Sequence, residues 1–378
     1  MSSVTPDSRQ QGAFEFGDEA ALLITSLRGV PFVVPRDIGW PRLRELAADN
    51  GVLAIVLESL LEMGTDVPTT FASAARECRR SAERFATTLE DLLQRFAEQA
   101  IDALPLKGPA LALALYGDAT LRSCNDLDLL VRRDDYARAE ALLLDRGFVG
   151  RETDDYHRRF VRHGIPVELH VEIASPRYFP FDSDGIWKRS RIDNFRGKPM
   201  RAMCDEDLVL YLCLHGLKHG FSRLIWILDA ARALRAPGGL NYRELIRRAR
   251  REGLEPWLAI GCEVVRAMLP GRLPEALDAI IAEAPETAKR ARQVAESLFA
   301  DGPEVVNDHK IRSFYLQIER SGRWRWRCRM SYFLPTVEDC RWAERHRINR
   351  RLLPVLRPFR LLRKYGPLRA WRAIFPPV

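Results

Sequence analysis

The chain has 378 residues, 47% of them hydrophobic and 29% charged, which excludes a disordered or fibrous protein and is enough for two or three packed layers or subdomains. No apolar run reaches the roughly 18 residues that cross a bilayer, and the N-terminus lacks the apolar segment of a secretory signal, so neither a transmembrane nor an exported chain is expected. Seven cysteines without a C-x-x-C pair predict reduced thiols and a cytoplasmic location, and the net charge of +8 points to an anionic partner.

Residues 1–16 read as a disordered tail, and residues 17–100 as an N-terminal helical region that supports the core. Helices are predicted from Asp18 to Arg28 and Trp40 to Asn50, and Val52 to Met63 reads as an apolar, buried run. Asp18 and Glu19 suit the positive end of the first, and Asn50-Gly51 stops the second. Thr69 to Ile101 contains neither Pro nor Gly and reads as one long helix. Its core stripe runs through Phe71, Ala75, Cys78, Ser81, Phe85, Leu89, Leu92 and Phe96.

Residues 101–202 read as an α/β core built around Leu104 to Arg132, LPLKGPALALALYGDATLRSCNDLDLLVR. A short strand over Ala103 to Leu106 leads into Lys107-Gly108-Pro109 and a helix over Ala110 to Tyr116. Pro fits the first helical turn, Gly108 lets the backbone approach a ligand, and the helix start favours phosphate. Lys107 adds a full charge there, and Arg122 and Ser123 can hold further phosphate oxygens. Asp126 and Asp128 then stand one residue apart in an apolar run. In a strand both point to one face, while Leu127 and Leu129 point into a core. Two carboxylates so close repel, and a shared Mg²⁺, which keeps open positions for substrate phosphates, removes the conflict. Arg133-Asp134-Asp135 caps a helix that Gly147 ends. Tyr156 to Arg162 and Pro166 to Ile173 read as a strand pair joined through His163-Gly164, with Glu168, His170 and Glu172 on one polar face.

Lys107-Gly108, a helix, and then Leu121-Arg122-Ser123 followed by Asn125-Asp126-Leu127-Asp128 resemble the nucleotidyltransferase core of the DNA polymerase β superfamily. Within it the chain most resembles the bacterial uncharacterised nucleotidyltransferase family, which has Lys-Gly where the wider superfamily has Gly-Ser or Gly-Gly. Three further stretches carry the likeness. They are Val167-Glu168-Leu169-His170, His215 to Asp229, and Leu353-Pro354 with Arg357-Pro358-Phe359-Arg360. The likeness covers most of residues 20–365 and implies an α+β fold, with a short mixed sheet flanked by helical regions. It also implies that Glu168 is the third metal ligand beside Asp126 and Asp128, with Mg²⁺ or Mn²⁺ as cofactor and an NTP as substrate. His170 either orients Glu168, touches the nucleotide, or is a structural histidine.

Residues 203–300 read as a helical domain, with Asp205 capping a helix that runs to His219. His215 and His219 have the spacing of a zinc pair, but Gly216 stands where a zincin has Glu. Lys218 and Asp229 are polar residues in apolar helices and are expected at the nucleotide cleft. Residues 301–378 form a basic helical region, with Arg323 to Arg329 alternating charge and ring. Its segment 341–372 suits packing on the domain, a peptide or polyanionic substrate, peripheral contact with an anionic membrane, or, less favoured, nucleic acid.

The expected activity is metal-dependent transfer of a nucleotidyl group from an NTP to a hydroxyl or phosphate acceptor, such as a tailored peptide, a cell-surface saccharide or a small molecule. Two other classes compete. One is a D-x-D glycosyltransferase using a nucleotide sugar, against which stands the lack of a long parallel β-α-β array before the motif. The other is a non-catalytic protein that binds a nucleotide or peptide.

Overall fold

The computed structural model describes residues 17–153, 156–175, 181–235, 239–269, 273–284, 286–299, 326, 330, 334–335 and 337–366. The predicted tail 1–16, most of the run 323–329 and residues 367–372 lie outside the described residues.

The N-terminal elements are helices α1 (Asp18–Ser26), α2 (Trp40–Asp49), α3 (Leu53–Glu62) and α4 (Thr69–Glu98). The α4 stripe is buried at every expected position except Cys78 and Ser81, with Ala82, Ala86 and Leu93 widening it. Six elements follow. They are β1 (Ala103–Pro105), α5 (Pro109–Tyr116), β2 (Leu127–Val131), α6 (Tyr136–Asp145), β3 (Val149–Thr153) and β4 (His157–Arg162). β5 (Ile165–His170) completes a sheet in the order β1-β2-β5-β4-β3. Among the described residues only the β2–β5 pair is parallel, so the sheet is small and mixed and the fold is α+β.

Sequence periodicity did not single out α7 (Ser183–Arg189) or the β6 (Arg191–Phe195) and β7 (Lys198–Ala202) hairpin. These elements are short, and neither strand alternates cleanly between buried and exposed. β7 packs on β1 and α4. Then come α8 (Asp205–Lys218), α9 (Leu224–Leu234), α10 (Tyr242–Glu252), α11 (Glu255–Met268), α12 (Glu275–Ala282) and α13 (Glu286–Leu298). Asn241 caps α10 by accepting from the Glu244 amide.

Two apolar cores sandwich the sheet. Leu127, Leu129, Val131, Val167 and Leu169 pack with Phe85, Leu89, Phe96 and Leu143 from α4 and α6. Leu104, Leu106 and Leu130 join the larger core, which unites α1–α3 with α8–α13. The sheet thus turns one face to α4 and α6 and the other towards α8, and the polar residues of the motif lie on the second. Helices α14 (Val337–Arg345) and α15 (Leu353–Tyr365) pack on each other, and Asp339 pairs with Arg357 and Arg360. Part of the C-terminal basic charge is therefore neutralised internally. No helix among the described residues is long and apolar enough to cross a membrane.

Candidate active site

The parallel pairing of β2 and β5 sets Asp128 opposite Glu168 and Leu130 opposite His170. Their apolar neighbours are buried against α4 and α6, so alternation brings Asp128 and Glu168 out side by side on the other face. A third strand adds to that face. His163 and Gly164 both have positive φ, 49° and 76°, as a two-residue type I′ hairpin turn requires. That turn fixes the register of β4 on β5, which sets His157 opposite His170 and Arg159 opposite Glu168. His157 escaped the sequence reading, although the turn carried the signal: counting back from a two-residue loop pairs it with His170. Asp126 lies one residue ahead of β2 rather than inside it.

Lys107 reaches the same place from the loop after β1, which is tied to β2 by the Leu106 amide donating to the Asp128 carbonyl at 2.9 Å. Its Nζ lies 3.2 Å from Asp126 Oδ1 and 3.0 Å from Asp128 Oδ2. The other Asp128 oxygen is 3.1 Å from His170 Nε2. His170 Nε2 and His157 Nε2 each lie 3.6 Å from Glu168 Oε2, and the two imidazoles stack with centroids 4.9 Å apart. Gly108 turns the chain into α5 with φ 77° and ψ −143°, a conformation that only glycine adopts readily. A Cβ there would lie 3.3 Å from the Cys124 sulfur, whose thiol donates to the Asp126 carbonyl. The first amides of α5 have no acceptor within the helix and adjoin the Lys107 loop.

The electrostatics differ sharply between neighbours. Burial pushes the Asp128 carboxyl up, but Lys107 and His170 outweigh it and hold the group well below the usual carboxylate range. Asp126 is raised, first by burial and then by Asp128, against the pull of Lys107. Glu168 is lowered: burial opposes ionisation, and the bond to His170 outweighs it. His170 is raised, because Asp128 and Glu168 overcome the burial that disfavours its charge. The cluster holds charge in a fixed pattern, with the strongest acid at Asp128.

Arg122 and Asp229, predicted at the cleft, form a buried ion pair with Nε 2.9 Å from Oδ2, and Tyr116 donates to the second Asp229 oxygen at 2.7 Å. Asp229 thereby fixes the guanidinium of Arg122, which also donates to the Ser123 carbonyl at 3.4 Å. Lys218 donates to the Tyr156 hydroxyl at 2.9 Å, and the Tyr156 ring packs against His157 and His170. The end of α8 therefore meets the carboxylate face through Tyr156. His215 and His219 cluster with Trp226. Burial and the nearby Lys107 and Lys218 keep both histidines neutral, His219 with its pKa pushed down to about 3. Tyr116, Tyr156 and Tyr211 also belong to this neighbourhood, and periodicity had marked none of them.

The donor set fits a divalent cation. Oxygens of Asp128 and Glu168 and a nitrogen of His170 lie within 4.8 Å of one another, and Asp126 adjoins them. The Lys107 ammonium already occupies a cation position between Asp126 and Asp128. Oxygen donors suit Mg²⁺ or Mn²⁺, and an imidazole shifts the set towards the transition metal.

Residues 36–270 match the model of a family described as uncharacterised nucleotidyltransferase, a span that contains every site residue named above. A solved structure, an antigenic nucleotidyltransferase-like protein from Paracoccidioides brasiliensis, aligns at 16% identity and a TM-score of 0.32, covering 57% of this chain and 94% of that one. No curated protein matches the chain.

Proposed function

The chain belongs to the uncharacterised nucleotidyltransferase family, and from that premise we propose that it transfers a nucleotidyl group from an NTP to a hydroxyl or phosphate acceptor in a metal-dependent reaction. The observation that carries this reading is the placement of Asp128 beside Glu168 on adjacent parallel strands, with Asp126 and Lys107 closing the same cluster. Asp126, Asp128 and Glu168, with His170, would hold the metal, which supplies Lewis-acid stabilisation of phosphate charge.

The protein's own groups do the rest. The first amides of α5 and the Lys107 ammonium offer positive charge to the triphosphate. Asp229 holds Arg122 in a single orientation behind this cradle. The acceptor oxygen bonds to the α-phosphorus, pyrophosphate departs, and the acceptor proton passes to Glu168 Oε2. His157, 3.6 Å from that oxygen, is placed to relay the proton outward. Lys218 holds Tyr156 against the two histidines and keeps their stack in place.

The test is incubation with each α-labelled NTP, Mg²⁺ or Mn²⁺, and candidate peptide, saccharide and small-molecule acceptors. Transfer of label with release of pyrophosphate, lost in Asp128→Asn, supports the reading. Consumption of a nucleotide sugar instead, with release of the nucleoside diphosphate, would favour a D-x-D glycosyltransferase.

A further inference from the structure

We propose that Lys107 is an internal counter-cation of the carboxylate cluster, so that a divalent ion binds tightly only when a triphosphate arrives to take the displaced ammonium. The inference rests on the nucleotidyltransferase reading of the site and concerns how that site is regulated.

The geometry leads there directly. Lys107 Nζ lies between Asp126 and Asp128, 3.2 and 3.0 Å from their oxygens, and its side chain is only 17% exposed. A divalent ion ligated by the same two oxygens sits roughly 2 Å from each, which puts it in the space the ammonium fills. The two cations cannot share that space. An ion that takes both aspartates must expel Lys107 and leave a buried ammonium without a partner, which is strongly unfavourable. Neighbouring carboxylates are already engaged, because Asp229 holds Arg122 and Glu168 faces His157 and His170.

A triphosphate removes the obstacle. The Lys107 backbone is fixed by Gly108 and the start of α5, but its four-carbon stem is flexible. Rotation of the stem carries the ammonium away from the carboxylates and towards the free amides of α5, where a phosphate would lie. The ion then takes the carboxylates, and the phosphate takes the ammonium. Each ligand completes the site for the other, so their binding free energies are coupled.

The coupling predicts changes of opposite sign in one variant, which a merely structural lysine would not give. Mn²⁺ binding is titrated by electron paramagnetic resonance for wild type, Lys107→Met, Lys107→Gln and Lys107→Arg. Binding of preformed Mn²⁺–tripolyphosphate is measured by equilibrium dialysis with labelled phosphate. The uncharged variants should bind Mn²⁺ alone at least about tenfold more tightly than wild type, and the Mn²⁺–tripolyphosphate complex at least about tenfold more weakly. Lys107→Arg, which keeps the charge, should bind Mn²⁺ alone no more tightly than wild type. If the uncharged variants fold only in Mn²⁺, that dependence is itself the tighter linkage expected. Unchanged or weaker Mn²⁺ binding in both overturns the proposal, as does failure of both to fold with or without the ion. An Asp128→Asn control separates the two readings: if it binds the Mn²⁺–tripolyphosphate complex as tightly as wild type does, the metal site lies elsewhere and the nucleotidyltransferase reading of this cluster falls.

Discussion

Replacing Asp128 and Asp126 one at a time by Asn should have unequal consequences for the metal-free fold, although the residues stand one apart. Asp128 is almost fully buried, and its carboxylate meets both Lys107 and His170, at 3.0 and 3.1 Å. In Asp128→Asn the amide keeps the volume and loses the charge that both partners need. Removing one member of a buried ion pair costs about 3–5 kcal/mol, and Lys107 retains Asp126, so the lower end applies, about 3 kcal/mol. For a chain of 378 residues that is a fall of about 4 °C in melting temperature. Asp126 is more exposed, and the fold already disfavours its charge, through burial and the neighbouring Asp128. Neutralising it relieves repulsion, so Asp126→Asn should melt within about 1 °C of wild type or above it. Circular dichroism melting in a chelator measures both. In Mn²⁺ with tripolyphosphate the wild-type midpoint should rise and both variants should lose the rise, because the pair of ligands binds only the native state. Equal destabilisation of the two variants, or an Asp128→Asn protein as stable as wild type, would refute the charge pattern described for this cluster.

Mild acid should weaken the fold through two buried histidines. His215 and His219 are held neutral, His219 with a pKa of about 3, whereas an unfolded histidine takes its proton near 6.5. Their contribution is complete above about pH 6.5 and is lost as pH falls from there, by up to about 1.4 kcal/mol per pH unit per histidine. His170, shifted the other way, adds no slope below that pH. Urea midpoints between about pH 6.5 and 5 should therefore fall, and His219→Gln should flatten the slope. Gly108→Ala forces a side chain into a backbone region near-exclusive to glycine and against Cys124, and should cost about 1–3 kcal/mol by denaturant titration while weakening triphosphate binding. Asp229→Asn strands the buried Arg122 guanidinium, and chemical denaturation should register a loss of about 3–5 kcal/mol.

What the sequence determined by itself was local. The α4 stripe, the apolar alternation around Asp128 and the x-Gly turn at His163-Gly164 each follow from a periodicity or a backbone requirement confined to a few neighbouring residues, and each is present in the fold. Short neighbouring elements such as β6 and β7 lacked that signal, because few of their side chains are buried. The tertiary structure decided which distant groups meet. Asp229 clasps Arg122 across 107 positions, and Lys218 reaches Tyr156 across 62. Lys107 read from the sequence as a phosphate ligand, and only the antiparallel pairing of β1 with β2 carries its ammonium onto Asp126 and Asp128. Strand order was equally illegible, since any apolar strand can satisfy β2's edge. The parallel partner β5 occupies it because its own apolar side chains complete the core on α4 and α6, and that packing, not the motif, brings Glu168 and the two histidines to the carboxylates.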